Sequence, residues 1–208
     1  MGTKPENANH RYGGRSMSVD SASIDQGPTD VDLLEDTIGA NLAATTARFG
    51  DREALVVAHQ GVRQTWSEFA DTVDRVAKGL MARGIAKGDR VGMWGPNFAE
   101  WVYVQYATAA IGAIQVNINP AYRTNELEYA LNQSGCRMLI TRSEYLTSAY
   151  REMVEAVQPN TPELTDVVYF DTDDWTALLT DGESITDMGY RLRPAGADVH
   201  QHKSPWWT

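Results

Sequence analysis

Residues 84 to 140 alternate strand, helix, strand, helix, strand, and that rhythm restricts the chain to very few folds. Gly88-Asp89 turns into a strand over Arg90–Trp94, which Gly95-Pro96-Asn97 ends. Asn97 offers an N-cap, with the acid Glu100 placed to complete it. The helix expected from Phe98 to about Ile111 carries Trp101, Val102, Val104, Tyr106, Ala109 and Ala110 on nearly every side, so it is buried on most faces. Gly112 ends that helix and Ala113–Ile118 is the next strand. Asn119-Pro120 breaks it, because proline cannot donate to a central ladder. Thr124 caps a short helix over Asn125–Gln133, Gly135 closes it, and Arg137–Thr141 is the third strand. Strands joined by helices at this spacing pair in parallel through right-handed crossovers.

The flanks extend the pattern. Ala54–Ala58 and Val62–Thr65 surround His59-Gln60-Gly61 and read as a β-hairpin. Thr65-Trp66-Ser67-Glu68 is a capping box. The helix behind it sets Trp66, Phe69, Val73, Val76 and Leu80 in one apolar stripe and stops at Gly84. Downstream, a helix over Glu144–Val157 and a strand over Asp166–Phe170 are predicted. The expected class is α/β, a parallel sheet with flanking helices.

Composition narrows the function. A net charge of −10 argues against a non-specific nucleic-acid binder, whose affinity rests on Lys and Arg neutralising phosphates. The single cysteine, Cys136, rules out an internal disulfide and argues against a thiolate zinc site. With no histidine near it in sequence, Cys136 reads as a small buried residue rather than a nucleophile. The first 29 residues are polar and small, without the apolar core of a secretory signal, and are expected to be disordered. The longest apolar stretch, Trp101 to Val116, is interrupted by Gln105, Thr108 and Gln115 and is too short to span a membrane. A soluble, cytoplasmic protein without a transmembrane segment is the expectation.

No GxxxxGK[ST] phosphate loop is present, and no GxGxxG follows a strand. Glycines 79, 84, 88, 92 and 95 read as helix caps and turns. Of the histidines, His10 lies in the polar start, His59 in the hairpin turn, and His200 and His202 near the end; none is placed as a base on a rigid element. No catalytic or metal-binding residue is assigned.

The run of blocks carries a resemblance. Gln64-Thr65-Trp66-Ser67-Glu68-Phe69, Gly88-Asp89-Arg90-Val91-Gly92, Pro96-Asn97-Phe98-Ala99-Glu100-Trp101, Ile111-Gly112-Ala113 and Asn119-Pro120-Ala121-Tyr122-Arg123, followed by Glu126-Leu127, resemble the amino-terminal third of AMP-forming acyl-CoA synthetases. Each block alone is weak; their order and spacing over roughly residues 35 to 180 are what is specific. The Asn-Pro-Ala-Tyr-Arg form is most similar to fatty-acid–CoA ligases of the acyl-adenylate-forming superfamily. The resemblance implies the first part of the large N-terminal domain of an adenylate-forming enzyme. Full-length members use ATP, Mg and CoA to convert a fatty acid to acyl-AMP and then to acyl-CoA. Their phosphate-holding Ser/Thr/Gly-rich loop, adenine and ribose contacts and catalytic lysine are expected beyond the last residue of this sequence. The resemblance leaves these residues a scaffold role and, at Asn119, Tyr122 and Arg123, a possible wall of the CoA channel. Loop packing and a solvated charge are the alternative for Tyr122 and Arg123.

Residues 30–188 are therefore expected to be a partial AMP-binding domain that needs no cofactor of its own, meeting fatty acid, ATP and CoA only once the missing part is supplied. The last twenty residues, 189–208, carry three Lys/Arg against one Asp, whereas residues 1–188 carry fifteen against twenty-seven. Their Arg, Pro, Ala, Gly and His content and lack of periodicity suggest translation out of the ancestral frame. Three readings follow: a truncated fatty-acid–CoA ligase inactive alone, the docking half of a split synthetase, or an unrelated α/β nucleotide-binding module.

Overall fold

A computed structural model describes residues 27, 28, 30 and 33–186. The disorder expected before residue 30 falls almost wholly outside them, and the out-of-frame reading of 189–208 does so entirely. The chain divides into an N-terminal unit ending at Glu35, whose described residues form no helix or strand, and a second unit from Asp36 that holds every element named below.

The second unit opens with α1 (Ile38–Phe49), capped by Thr37, whose hydroxyl accepts from the Ala40 amide at 3.1 Å. The hairpin follows as predicted, β1 (Glu53–Val57) antiparallel to β2 (Val62–Thr65). The Thr65 box is complete at the head of α2 (Trp66–Ala82). Thr65 Oγ1 accepts from the Glu68 amide at 3.3 Å, and the Glu68 carboxylate accepts from the Thr65 amide at 2.8 Å. Gly84 lies just past the end of α2 at φ +85°, the left-handed position expected of it.

Four strands make the main sheet, in the order β4-β3-β5-β6 and all parallel: β3 (Arg90–Trp94), β4 (Ile114–Ile118), β5 (Cys136–Thr141) and β6 (Asp166–Tyr169). The connecting helices are α3 (Ala99–Ile111), α4 (Thr124–Ser134), α5 (Tyr150–Val157) and, after β6, α6 (Asp173–Asp181). Strand β3 is central and buried on both faces. Val91 and Met93 enter a core with α2, α3 and α6, whereas Trp94 enters a second core with α4 and α5. The result is a three-layer α/β/α unit.

Several expectations need correction. Asn97 does not cap α3. Gln60, from the 3-10 turn between β1 and β2, reaches across instead; its Oε1 accepts from the Ala99 amide at 2.7 Å and its Nε2 donates to Glu100 at 3.0 Å. The cap of α4 is Arg123 rather than Thr124, with Glu126 accepting from the Arg123 amide at 3.1 Å. The helix expected from Glu144 starts only at Tyr150, because Tyr145 and Ser148 exchange two backbone hydrogen bonds of 2.9 Å in a tight turn. Helices α1 and α6 were not anticipated. Gly79 and Gly92 are neither caps nor turns: Gly92 is the middle residue of β3, and Gly79 lies within α2, where an added Cβ would collide with the Leu178 carbonyl oxygen of α6.

Three substitutions check this packing. Thr65→Ala should cost about 1 kcal/mol, and Phe69→Ala, which empties a site only 2% exposed, about 3–5 kcal/mol, both by urea unfolding. Gly79→Ala pits a helix-propensity gain of about 1 kcal/mol against overpacking of about 1–3 kcal/mol. Because the colliding atom is backbone, the loss should win and the midpoint should fall.

Candidate functional site

In open α/β sheets, ligand crevices lie beyond the carboxyl ends of the strands. Here that rim consists of the residues following Trp94, Ile118, Thr141 and Tyr169. The predicted loop Asn119–Arg123 lies on it, and its shape is fixed from below. Asn119 Oδ1 accepts from the Ala121 amide at 2.9 Å, and the Asn119 carbonyl accepts from the Tyr122 amide at 3.0 Å. The Trp94 indole N–H donates to that same carbonyl at 3.0 Å, and the Tyr150 hydroxyl donates to the Pro120 carbonyl at 3.1 Å. The Trp94 and Tyr150 rings meet edge to face at 4.4 Å, so one buried aromatic pair holds two successive carbonyls of the loop.

Asn119 thus acts through its backbone and its turn. Tyr122 keeps 36% of its surface exposed and, with Asn125, Glu126 and Tyr129, lines a shallow hollow of about 220 Å³. Arg123 Nη1 donates to Ser148 Oγ at 3.0 Å, tying this loop to the Tyr145–Ser148 turn. A larger hollow of about 450 Å³ opens at the opposite, amino ends of the strands, around Asp89, Arg90, Arg137 and Glu163. Arg137 and Asp89 already pair there at 3.0 Å, and Arg90 is spent on the Ser134 and Gly88 carbonyls. Position in the fold outweighs size, and the rim is the better candidate.

A second cluster on the rim was not read from the sequence. Asp171, just past β6, accepts from the Ser143 amide at 2.7 Å, the Ser143 hydroxyl at 2.8 Å and Arg142 Nε at 3.3 Å. The Arg142 guanidinium lies 4.5 Å from the centroid of the Phe98 ring, and Phe98 also meets His59, Tyr145 and Phe170. This clasp joins the exits of β3, β5 and β6 to the hairpin tip. Burial pushes the Asp171 carboxyl up, but the Ser143 donors and Arg142 outweigh it and leave it below its ordinary value of 3.8. An Asp following a strand was the available signal; its partners are 28 and 29 residues away and leave no local trace.

Cys136 is buried at the start of β5, and burial pushes its thiol up despite a Ser134 hydroxyl and Arg90 nearby, as suits a structural residue. His59 packs its ring edge-to-face on Phe98 at 5.0 Å; His10, His200 and His202 lie outside the described residues. No helix among the described residues is long and apolar enough to cross a membrane.

Known proteins share the fold that carries this rim. The family described as AMP-binding enzyme matches residues 42–204. The mouse medium-chain acyl-CoA ligase ACSF2, mitochondrial, is 43% identical over 69% of this chain and 23% of its own length. The rat protein of the same name is 39% identical over 89% of this chain and 32% of its own. The putative acyl-CoA synthetase YngI of Bacillus subtilis is 39% identical over 64% and 24%. Among solved structures, the N-terminal domain of FACL13 from Mycobacterium tuberculosis superposes with a TM-score of 0.62 at 27% identity, covering 69% of this chain and 36% of that one. The long-chain-fatty-acid-CoA ligase FadD1 from Archaeoglobus fulgidus shares the fold at 22% identity and a TM-score of 0.67, covering 78% and 33%. The chain spans about a quarter to a third of the length of these relatives.

The clasp has a pH signature. A carboxyl held below its ordinary value stabilises the fold above that value, and the contribution is lost as pH falls through the depressed value. Stability should therefore fall as pH drops through and below the ordinary carboxyl value of 3.8. Asp171→Asn should remove about 1–2 kcal/mol at neutral pH and flatten the acid limb relative to the parent, as read by urea midpoints across that range.

Proposed function

We infer the function from membership: the chain belongs to the AMP-binding enzyme family, as an amino-terminal portion of an AMP-forming acyl-CoA synthetase. We propose that the whole protein activates a fatty acid with ATP and passes the acyl group to CoA, whose thiol is the accepting nucleophile. Residues 38–186 supply scaffold and one rim of the site. The ACSF2 relatives named as medium-chain acyl-CoA ligases support an acyl substrate. The observation that carries the local reading is the Asn119–Arg123 loop, pinned by Trp94 and Tyr150 at the carboxyl edge of the sheet.

In this proposal Tyr122 packs its exposed ring against the neutral pantetheine arm of CoA, and the turn at Asn119 fixes the ring's position. Arg123 positions the wall through Ser148. Glu126 beside Tyr122 disfavours a phosphate in the same hollow, which suits the uncharged arm better than the nucleotide end. For ATP and Mg the described residues are a poor fit. No three His, Cys, Asp or Glu side chains among them converge as metal ligands, and no step is assigned to them through Mg. In this reading adenylation depends on residues other than those described, and the 208-residue chain alone should be inactive. Cytoplasmic residence is part of the proposal and rests on the strongly acidic balance. The relatives named mitochondrial make cell fractionation its test.

Two assays check the reading. ATP–pyrophosphate exchange by the 208-residue chain, purified free of host synthetase, should stay at background with C8 to C18 fatty acids. Acid-dependent exchange would overturn the scaffold role. In a complete ligase formed by joining this segment to the remainder of YngI, Tyr122→Ala should raise the KM for CoA about tenfold, roughly 1.4 kcal/mol of binding. Adenylation should change less than about twofold. An equal loss in both half-reactions would place Tyr122 in the scaffold only.

A further inference from the structure

Helix α4 buries one face and shows the other. Leu127 and Leu131 enter the core that holds Trp94 and Ile118. Asn125 and Tyr129 are four residues apart, hence neighbours on one side of the helix; both are exposed, Tyr129 to 66%. Tyr122 joins them from the preceding loop, and with Glu126 these side chains line the hollow of about 220 Å³. A site that encloses a whole small molecule needs roughly 300–1,000 Å³, so this one holds a segment of a longer ligand. The charged groups around it are engaged. Glu126 Oε2 accepts from the Arg123 amide at 3.1 Å and so closes the start of α4. The Arg123 guanidinium is turned away to Ser148 at 3.0 Å. The Asn125 carboxamide, by contrast, makes no hydrogen bond among the described residues.

A carboxamide offers two N–H donors and a carbonyl acceptor in one plane, and the group that answers both together is another amide. A carboxylate or phosphate would use only the donors and meet the charge of Glu126; an ammonium ion would use only the acceptor. Two tyrosine rings beside the carboxamide suit the flat, uncharged faces of such a group. We propose that Asn125 is a specificity-determining residue for the acyl acceptor: its carboxamide reads a secondary amide of the thiol-bearing arm, flanked by Tyr122 and Tyr129. The proposal rests on the CoA-wall reading above and goes beyond it by naming the group that is read. The pantetheine arm carries two secondary amides and no charge. The thiols accepted are therefore those that carry such an amide, with or without a nucleotide, and an amide-free thiol of equal length is discriminated against.

The test has two arms. In the 208-residue chain, the side-chain amide resonances of Asn125 are followed by NMR during titration with pantetheine, an amide-free oligo(ethylene glycol) thiol and methylammonium. Pantetheine should shift them and the other two should not; a shift with methylammonium alone, or equally with both thiols, would overturn the proposal. In the complete ligase joined to the remainder of YngI, Asn125→Leu keeps the size of the side chain and removes its hydrogen-bonding groups. It should raise the KM for pantetheine and for CoA about tenfold with kcat unchanged. For the amide-free thiol kcat/KM should change less than about twofold. Asn125→Gln, which keeps the carboxamide, should lose less than Asn125→Leu. The Tm of the 208-residue chain should not move, because the Asn125 carboxamide holds nothing within it. Equal losses with amide-bearing and amide-free thiols, or a lowered Tm that accounts for them, would make Asn125 a structural residue and end the proposal. If Tyr122→Ala raises the KM for CoA and Asn125→Leu does not, the CoA wall stands and the amide assignment falls; if neither does, both fall.

Discussion

Strand β3 is the element on which everything else in the folded unit depends. Its five residues pair on both sides, with β4 and with β5, and its side chains fill the cores above and below the sheet. Such a strand tolerates almost no polar or bulky change. Gly92 shows the limit: a Cβ there would lie 3.1–3.2 Å from Leu139, Cys136 and Ile118 at once. Fully burying a side chain such as Met93 contributes about 1.5–3 kcal/mol, and β3 makes several such contributions in two separate cores. A defect in it would loosen both faces of the sheet together.

The candidate site inherits its rigidity from the same strand. Trp94 is the last residue of β3 and is fully buried, yet its indole N–H emerges at the rim to hold the Asn119 carbonyl. A buried indole N–H left without an acceptor would be penalised, so the core and the loop constrain each other. The second clasp, Asp171 with Ser143 and Arg142, does similar work at the neighbouring strand ends. A loop of fixed shape on a rigid support is the arrangement that positioned binding requires.

How much of this was legible in the sequence follows the range of the forces involved. The Thr65 box, the Gly84, Gly112 and Gly135 helix ends and the alternation of β3 to β5 are local, and local chemistry set them. Helices α1 and α6 each bury only one side chain completely, Leu42 and Leu178, although Trp175 and Leu179 pack beside Leu178 in a short stripe. Thr172 capping α6, with Asp173 and Asp174 in its first turn, was the signal that could have revealed the second. The α3 cap comes from Gln60, 39 residues before the amide it serves, and no window of sequence contains both. At the site, Tyr122 and Arg123 were reached only through resemblance to a family. Trp94 and Tyr150, which give their loop its shape, are partners created by the fold.

The claim at the centre is that β3, through Trp94, fixes the loop at the rim. Hydrogen exchange of the Trp94 indole N–H in the 208-residue chain, followed by NMR, tests it most directly. If the claim holds, that proton exchanges as slowly as the backbone amides of Gly92 and Met93, opening only when the sheet itself unfolds. Exchange at the rate of an exposed loop, with the β3 amides still protected, would mean that the loop moves independently of the core and that the rim is not a preformed wall.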